Sequence, residues 1–175
     1  DPPALLYLKG RRELIRRPAI AIVGSRNATP VGNQNAEAFA RAFSDAGLTV
    51  VSGLAMGIDA SAHKGALLGQ GSSIAVVGTG LDLVYPARNK ALAHEMAERG
   101  LLVSEFSLGT PALSSNFPRR NRIISGISKG VLVVEAALAS GSLITARLAG
   151  EQGRDGFAIP GSIHSPFSKG CHLLI

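Results

Sequence analysis

The residues of this sequence best suited to chemistry are three arginines within four positions, Arg119, Arg120 and Arg122, which follow Phe117 and Pro118. A proline suits the first turn of a helix, where its missing N–H group costs nothing, so a helix is predicted here. Arg119 and Arg122 share a face of that helix, whereas Arg120 points elsewhere. Cations are disfavoured at the positive end of a helix dipole. The arginines therefore predict a bound phosphate, which guanidinium groups fit well; the alternative is a solvated helix start.

Two further stretches carry groups that bind anions. Arg26 follows Gly24 and Ser25, which end the apolar run 19–23 in a tight turn. An arginine there suits a phosphate, although a structural turn with a solvated arginine is the alternative. The stretch 140–145, Ser-Gly-Ser-Leu-Ile-Thr, offers backbone N–H groups and hydroxyls at a predicted helix start, which is a general anion site. The alternative is that these hydroxyls only cap their own helix.

Apolar runs alternate with helical patterns along the chain. The predicted strands are residues 19–23, 48–51, 74–77, 101–104, 131–134 and 157–159. Among the helices, one begins at Thr29 with an N-cap and a first-turn proline and ends at Gly47. Strands that alternate with helices imply a parallel sheet with right-handed crossovers, so the predicted fold class is α/β.

The carboxyl ends of the predicted strands carry small and charged residues. In an open α/β sheet these ends lie along one edge, where ligands bind. That edge is predicted to contain Arg26, Ser52, Gly53, Gly57, Gly78, Gly80, Glu135, Ser140, Gly141 and Gly161. The segment 162–175, which includes Lys169, is predicted to be a loop that closes towards this edge.

Candidate catalytic groups are present, but the sequence does not arrange them for a reaction. His63 lies one helical turn after Asp59, so the two could pair, but no other histidine has metal-ligand spacing relative to it. Glu105 and Glu135 fall at the predicted edge, where paired carboxylates could do acid–base chemistry. No serine, cysteine or lysine stands beside a base, so Glu135 is expected to pair with an arginine or accept backbone N–H bonds. No catalytic residue, metal or cofactor is predicted.

Composition narrows the class of partner. The 175 residues, 46% of them apolar, suit one domain with a core, and residues 1–18 are expected to be a lead-in segment or part of a linker. The net charge of +6 and the pI of about 10.1 favour a polyanion. Aromatic residues make up only 5% of the chain, so a nucleic acid would be held by its phosphates rather than mainly by base stacking.

The sequence also predicts the cellular compartment of the protein. The single cysteine, Cys171, fits reducing surroundings. No apolar run approaches the roughly 20 residues that span a bilayer, and the N-terminus shows no signal-peptide pattern. A cytoplasmic protein with no membrane partner is expected.

Eight motifs, spread from residue 23 to residue 161, together resemble the DNA-processing protein A family, also called Smf. In chain order they are 23–26 (VGSR), 52–59 (SGLAMGID), His63, 78–80 (GTG) followed by Tyr85-Pro86, 117–124 (FPRRNRII), 133–136 (VVEA), 140–146 (SGSLITA) and 160–161 (PG). Each motif is weak alone, and their shared order makes the resemblance strong.

The resemblance implies an extended Rossmann-like domain at residues 19–175, with a mostly parallel sheet, helices on both faces, and single-stranded DNA binding without catalysis. It implies a homodimer that protects incoming DNA and loads the recombinase RecA in natural transformation and recombination. The N-terminal helical and C-terminal winged-helix-like modules usual in the family are not visible here. The predicted DNA-binding residues are Arg26, Ser52, Gly53, Gly57, Phe117, Arg119, Arg120, Arg122, Ser140, Gly141 and Lys169. Phe117 would either lie against a base or wall the pocket.

Two alternative functions stay open. A related architecture serves phosphoribohydrolases that resemble the cytokinin-activating LOG proteins, whose signature is a P-G-G-x-G-T-x-x-E loop. The comparable loop here, 140–146, has one glycine and no matching glutamate, which argues against a nucleotide-hydrolysing enzyme. The other alternative is a passive interaction domain whose charge serves solubility. A dimer surface is expected around the helix 140–153 or the last strand.

Overall fold

A computed structural model describes residues 2–175. Its strands are β1 (Tyr7–Gly10), β2 (Ala19–Val23), β3 (Thr49–Ser52), β4 (Ser73–Val76), β5 (Leu101–Ser104), β6 (Gly130–Val133) and β7 (Asp155–Ala158). Its α-helices are α1 (Pro30–Asp45), α2 (Ile58–Leu67), α3 (Lys90–Arg99), α4 (Asn116–Gly126), α5 (Ser142–Glu151) and α6 (Lys169–Leu174), and short 3-10 helices cover Arg12–Arg16 and Ala87–Asn89. The six predicted strands are all present, to within two residues at each end.

The seven strands form one sheet in the order β1-β5-β4-β3-β2-β6-β7. All neighbouring pairs are parallel except β1 with β5. The chain steps outwards from β2 to β5 and then returns to place β6 on the other side of β2. This reversal opens a crevice between the loops after β2 and β6, which is where open α/β sheets bind ligands. The predicted α/β fold with a mostly parallel sheet is confirmed.

Helices cover both faces of the sheet, as predicted. Val23 of β2 packs in a core cluster with Ile124 of α4 and Ala149 of α5. Ile22, the preceding residue, packs in a second cluster with Ala40 of α1. Because neighbouring side chains of a strand point to opposite faces, α4 and α5 lie on one face and α1 on the other. Burial on both faces is why β2 is a continuous apolar run rather than an alternating one.

The lead-in segment adds a strand that the sequence analysis did not predict. β1 pairs antiparallel with β5 at the edge of the sheet, from Tyr7 opposite Ser104 to Gly10 opposite Leu101. Leu14, in the 3-10 helix that follows, is fully buried in the core. The strand is too short to show a pattern, and its partner lies far along the chain.

The end of the chain differs from the predicted loop. Residues 169–174 form the short helix α6, whereas residues 162–168 are irregular. A Cβ atom at Gly170 would lie 2.7 Å from the carbonyl oxygen of Ala136, and the Ala136 N–H donates to the carbonyl of Phe167 at 2.8 Å. The prediction of a loop is therefore wrong from Lys169 onwards, because glycine and the small, buried Cys171 let a helix dock beside the loop after β6.

Candidate nucleic-acid interface

A cavity of about 700 Å³ occupies the crevice between the loops after β2 and β6. The strand order positions it, because β2 and β6 are neighbours and both end at this edge. Helices α4 and α5 form further parts of its wall. Of the predicted DNA-binding residues, the cavity brings together Arg26, Phe117, Arg120, Ser140 and Gly141. A cleft of about 80 Å³ beside it is lined by Gly53 as well as Arg26, Phe117 and Arg120.

In this site the exposed Arg26 lies beside the half-buried Phe117. The guanidinium carbon of Arg26 lies 5.6 Å from the centre of the Phe117 ring, within the range of a cation–π contact. The centre of the Tyr85 ring lies 5.5 Å from the centre of the Phe117 ring. The Arg26 side chain is exposed and forms no salt bridge with any of residues 2–175. It is therefore available to a phosphate group.

Gly57 positions the Arg26 loop from behind. Its backbone adopts a φ of +72°, which favours glycine, and a Cβ atom there would collide with the carbonyl oxygen of Ser25. The next residue, Ile58, donates its N–H to that same carbonyl at 3.1 Å. Gly57 thus sets the shape of the site without being among the residues that line the cavity.

Arg120 is buried, at 4% exposure, beneath the glycine-rich loop after β3. Its Nη1 donates to the carbonyl of Gly53 at 2.6 Å and also to the carbonyl of Val76. Burial lowers the pKa of Arg120 to about 10, and the nearby Asp59 carboxylate partly offsets that effect. Arg120 is therefore not solvated, as the alternative of a solvated helix start would require. Its direct contact with phosphate stays a prediction.

The loop 52–59 is held together by buried polar groups. Asp59 accepts the N–H groups of Gly53 at 3.1 Å and Ala55 at 3.3 Å, while the hydroxyl of Ser52 donates to the carbonyl of Ile22 at 2.7 Å. Burial raises the pKa of Asp59, and Arg120 opposes that shift. A Cβ atom at Gly53 would collide with the Arg120 guanidinium group. Ser52 and Gly53 therefore support the site, and their contact with DNA stays a prediction.

His63 is fully buried and does not pair with Asp59. Its Nε2 accepts the N–H of Leu54 at 3.2 Å, and its Nδ1 lies 2.7 Å from the hydroxyl of Ser73. An acceptor role at Nε2 requires the proton to be on Nδ1, so the ring is the neutral tautomer. Burial lowers the pKa of His63 to about 3, and the charge of Arg120 adds to this effect.

Glu135 occupies the N-terminus of α1. Its carboxylate accepts the N–H of Thr29 at 2.9 Å and the hydroxyl of Thr29 at 2.5 Å, and a Cβ atom at Gly32 would collide with it. A carboxylate is favoured at the positive end of a helix dipole. In a dinucleotide-binding fold this position, after the first parallel strand, holds the pyrophosphate. The chain fills it with its own anion, so a dinucleotide cannot bind there in the usual way.

Arg119 and Arg122 lie on a shared face of α4, as predicted, but outside the lining of the cavity. Both contact Glu105: Arg119 Nε lies 3.2 Å from Oε1, and Arg122 Nη2 lies 2.5 Å from Oε2. Arg122 is mostly buried, whereas Arg119 is exposed and also lies 5.6 Å from the ring of Phe106. In this structure both arginines contact a carboxylate of the chain itself, and their contact with DNA stays a prediction.

The remaining predicted residues divide between the cavity and its surroundings. The hydroxyl groups of Ser140 and Ser142 form a hydrogen bond of 2.7 Å, and the Ser140 hydroxyl also accepts the N–H of Ser142 at 3.3 Å. The Ser140 hydroxyl thus satisfies one N–H group at the start of α5, although the N-cap residue, Gly141, provides no side-chain cap. Lys169 is exposed at the start of α6 and is not among the residues that line the cavity.

Four cavity residues were not among those predicted to bind DNA, namely Asn27, Tyr85, Thr145 and Phe167. Tyr85 and Thr145 stood within matching motifs, so their motifs could have drawn attention to them. Phe167 lies outside those motifs, and only the docking of the chain end brings it to the cavity.

Within residues 2–175 there is no group of three or more histidine, cysteine, aspartate or glutamate side chains able to hold a metal ion. The same part of the chain contains no helix with the length and apolar character needed to cross a membrane.

Comparison with known proteins decides the family. A family model described as DNA recombination-mediator protein A matches residues 1–175. The chain belongs to this family. Protein Smf of Escherichia coli (strain K12) is 52% identical over 176 residues, which are 100% of this chain and 47% of that protein. DNA processing protein DprA of Streptococcus pneumoniae is 48% identical over 175 residues, which are 100% of this chain and 62% of that protein.

Solved structures of DprA proteins share the fold of this chain. The DprA structure from Streptococcus pneumoniae superposes with a TM-score of 0.94 at 48% identity, covering 98% of this chain and 60% of that one. The DNA processing protein A of Helicobacter pylori, described for its single-stranded DNA binding mode, gives a TM-score of 0.92 at 34% identity, covering 99% and 79%. The chain spans about half to three fifths of the two curated relatives' length.

Proposed function

We propose that the chain binds single-stranded DNA and does so without catalysing a reaction on it. The observation that carries the proposal is the exposed Arg26 guanidinium group beside Phe117, at a cavity of about 700 Å³ in the ligand-binding crevice of the sheet. A net charge of +6 supports a polyanionic ligand. The related protein of Helicobacter pylori is described as binding single-stranded DNA, which supports the same ligand here.

The mechanism we propose is electrostatic. Arg26 and the rim of the cavity neutralise phosphate groups and release the counterions condensed on the strand. If about four phosphates are engaged, the logarithm of the binding constant falls with the logarithm of salt concentration at a slope of about −3. Arg119 and Lys169, both exposed, extend this basic surface beyond the cavity.

The test is a salt titration of a labelled oligothymidine strand with Arg26→Ala. Each lost phosphate contact reduces the slope by about 0.7 for a single strand, and the loss of affinity is even across sequences. Arg41→Ala is the matched control, because Arg41 is an exposed arginine of α1 whose one salt bridge among residues 2–175 is to Asp45 on its own helix. Affinity that is independent of salt, or equal losses in the two variants, would contradict the proposal.

The groups that could perform catalysis are otherwise engaged, which supports a non-catalytic role. His63 is neutral and buried, and Glu135 caps α1. The alternative, a phosphoribohydrolase-like enzyme, draws support from the cavity at the nucleotide-binding crevice. Incubation with nucleoside monophosphates distinguishes the two, since an enzyme of that kind releases free base and a binding domain does not.

The wider role that we propose follows the family: the protein protects incoming DNA, loads RecA in natural transformation, and acts as a cytoplasmic homodimer. Protection is measured as resistance of a bound strand to a nuclease. Loading is measured as RecA filament formation on a strand already covered by a single-strand-binding protein. Both assays compare this chain with one of its longer relatives, because the chain spans only part of their length.

A further inference from the structure

A second concentration of positive charge lies in residues 9–17, which we call the arginine segment. It contains one acid, Glu13, and five cations, Lys9, Arg11, Arg12, Arg16 and Arg17. Its net charge of +4 is two thirds of the +6 carried by the whole chain. No aromatic side chain occurs in it. The segment therefore has the charge to bind phosphate groups and no ring on which a base could stack.

Hydrogen bonds place the arginine segment at the amino ends of the parallel strands. The carbonyl of Pro18 accepts the N–H of Thr49, the first residue of β3, at 3.0 Å. Arg17 donates from Nη1 to the carbonyl of Gln70, in the loop before β4, at 3.0 Å. The cavity lies at the carboxyl ends of β2 and β6, and the five residues of β2, at about 3.3 Å each, separate the two edges by about 15 Å. The segment is thus a separate surface, on the opposite edge of the sheet.

The backbone of the arginine segment is held by the core. Leu14 is fully buried, and Ile15 packs against the same core cluster. Ahead of them, β1 pairs with β5. Guanidinium groups on a backbone fixed in this way lose less freedom on binding than groups on a mobile tail. The segment is therefore a preorganised surface.

Helix ends account for two of the four arginines. Both α2 and α3 end at this edge, and cations are favoured near the carbonyl groups of a helix C-terminus. Arg17 donates to Gln70, just after α2. Arg11 donates to the carbonyl of Arg99, the last residue of α3, at 3.5 Å and pairs with Glu13 at 2.8 Å. These two arginines serve the fold itself.

Arg12 and Arg16 are not explained in this way. Both are exposed, and neither forms a salt bridge with any of residues 2–175. They begin and end the same 3-10 helix, so at a rise of about 2 Å per residue they lie about 8 Å apart along its axis. That separation lets them contact two different phosphates. Their charges are therefore available to an anion outside the chain.

Resting on the proposed function, we infer that the arginine segment, through Arg12 and Arg16, holds a second stretch of the single strand whose first stretch is bound at the cavity. Once part of a strand is bound at one edge of the sheet, its remaining nucleotides are tethered near the other edge. Tethering raises their effective concentration there, so a weak second contact adds to the affinity of the whole strand. Because the contacts are to phosphates, the segment accepts any base sequence.

The experiment measures the binding of two oligothymidine lengths to Arg12→Ala/Arg16→Ala. A strand of about 6 nucleotides is occupied by the cavity, whereas one of about 30 exceeds the roughly 4–16 nucleotides that one oligonucleotide-binding module covers and reaches both edges. We expect the double variant to bind the long strand about tenfold more weakly, because the second contact is lost. Its salt slope on that strand should decrease by about 1.4, since each phosphate contact contributes about 0.7. Its affinity for the short strand should equal that of the unmodified chain.

The outcomes separate this inference from the proposed function. If the double variant binds the long strand as tightly as the unmodified chain does, or weakens both lengths equally, the inference is overturned and single-stranded DNA binding stands. If the unmodified chain binds neither strand, the proposed function is overturned.

Arg41→Ala/Arg147→Ala is the matched control, because it removes the same charge from two exposed arginines on α1 and α5. We expect the control to keep the affinity for the long strand, and a loss equal to that of Arg12→Ala/Arg16→Ala would overturn the inference in favour of a general effect of net charge. Vesicles that contain anionic lipid test another polyanion. If Arg12→Ala/Arg16→Ala abolishes vesicle binding but leaves long-strand binding unchanged, the segment binds a membrane surface and the inference is overturned.

Discussion

Arg120 is the residue whose substitution should change the stability of the protein most directly. It satisfies two buried carbonyl groups, those of Gly53 and Val76, and lies near the buried carboxylate of Asp59. Replacement by alanine leaves these groups without their donor, so we expect the free energy of unfolding to fall by about 3 kcal/mol. Arg119→Ala, an exposed neighbour on α4, should cost less than about 1 kcal/mol. Denaturant unfolding measures both, and equal small losses would refute a supporting role for Arg120.

His63 makes stability depend on pH in a defined window. Its pKa is about 3 in the folded protein and near 6.5 when unfolded, because burial disfavours the charged ring. Between these values the unfolded chain binds more protons, so stability falls as the pH is lowered from 6.5 towards 3. We expect the slope of stability against pH in that window to decrease by up to about 1.4 kcal/mol per pH unit in His63→Gln. A slope that is the same in His63→Gln and in the unmodified chain would contradict this prediction.

At the scale of elements, the start of α1 depends on a residue from another strand end. Glu135 follows β6 yet accepts both the N–H and the hydroxyl of Thr29, the N-cap residue. Glu135→Gln keeps the size of the side chain and removes its charge, so we expect a loss of about 1 kcal/mol in the free energy of unfolding. Glu37→Gln is the control, because Glu37 is exposed and lies beyond the first turn of α1. Equal melting temperatures for the two variants would contradict this prediction.

The elements that sequence reasoning found are those whose signals are local. β2 and β6 are continuous apolar runs because both faces of the sheet are covered. The start of α1 is indicated by its N-cap, Thr29, and by Pro30 in its first turn. β1 and α6 gave no such signal. Each is short, and each is held by residues far away in the sequence: β5 for β1, and the backbone of Ala136 for α6. Both elements depend on contacts with distant parts of the chain, which cannot be predicted from the residues that neighbour them in the sequence.

At the scale of the whole molecule, the sheet order determines the site. The alternation of strands and helices predicted that Arg26 and Ser140 share an edge, and they line one cavity because β6 returns beside β2. The arginine cluster, which was predicted as a unit, is divided by the fold: Arg120 lies beneath the loop after β3, while Arg119 and Arg122 contact Glu105. Helical spacing indicated that they diverge, but burial depends on tertiary contacts.

The exposed edge of β7 is a candidate surface for the proposed homodimer. β7 is one of the two edge strands, α6 packs near it, and Phe157 and Leu173 are 53% and 72% exposed. Apolar side chains gathered at an unpaired sheet edge favour association with another copy. We therefore expect the chain to form a dimer through this edge, and Leu173→Asp to shift it to monomer because a carboxylate cannot be buried there without a partner. Sedimentation at several concentrations measures the mass. The control is Leu68→Asp, which changes an exposed leucine after α2 and should leave the dimer intact. A dimer that survives Leu173→Asp would place the contact elsewhere, and the helix α5 would be the next surface to test.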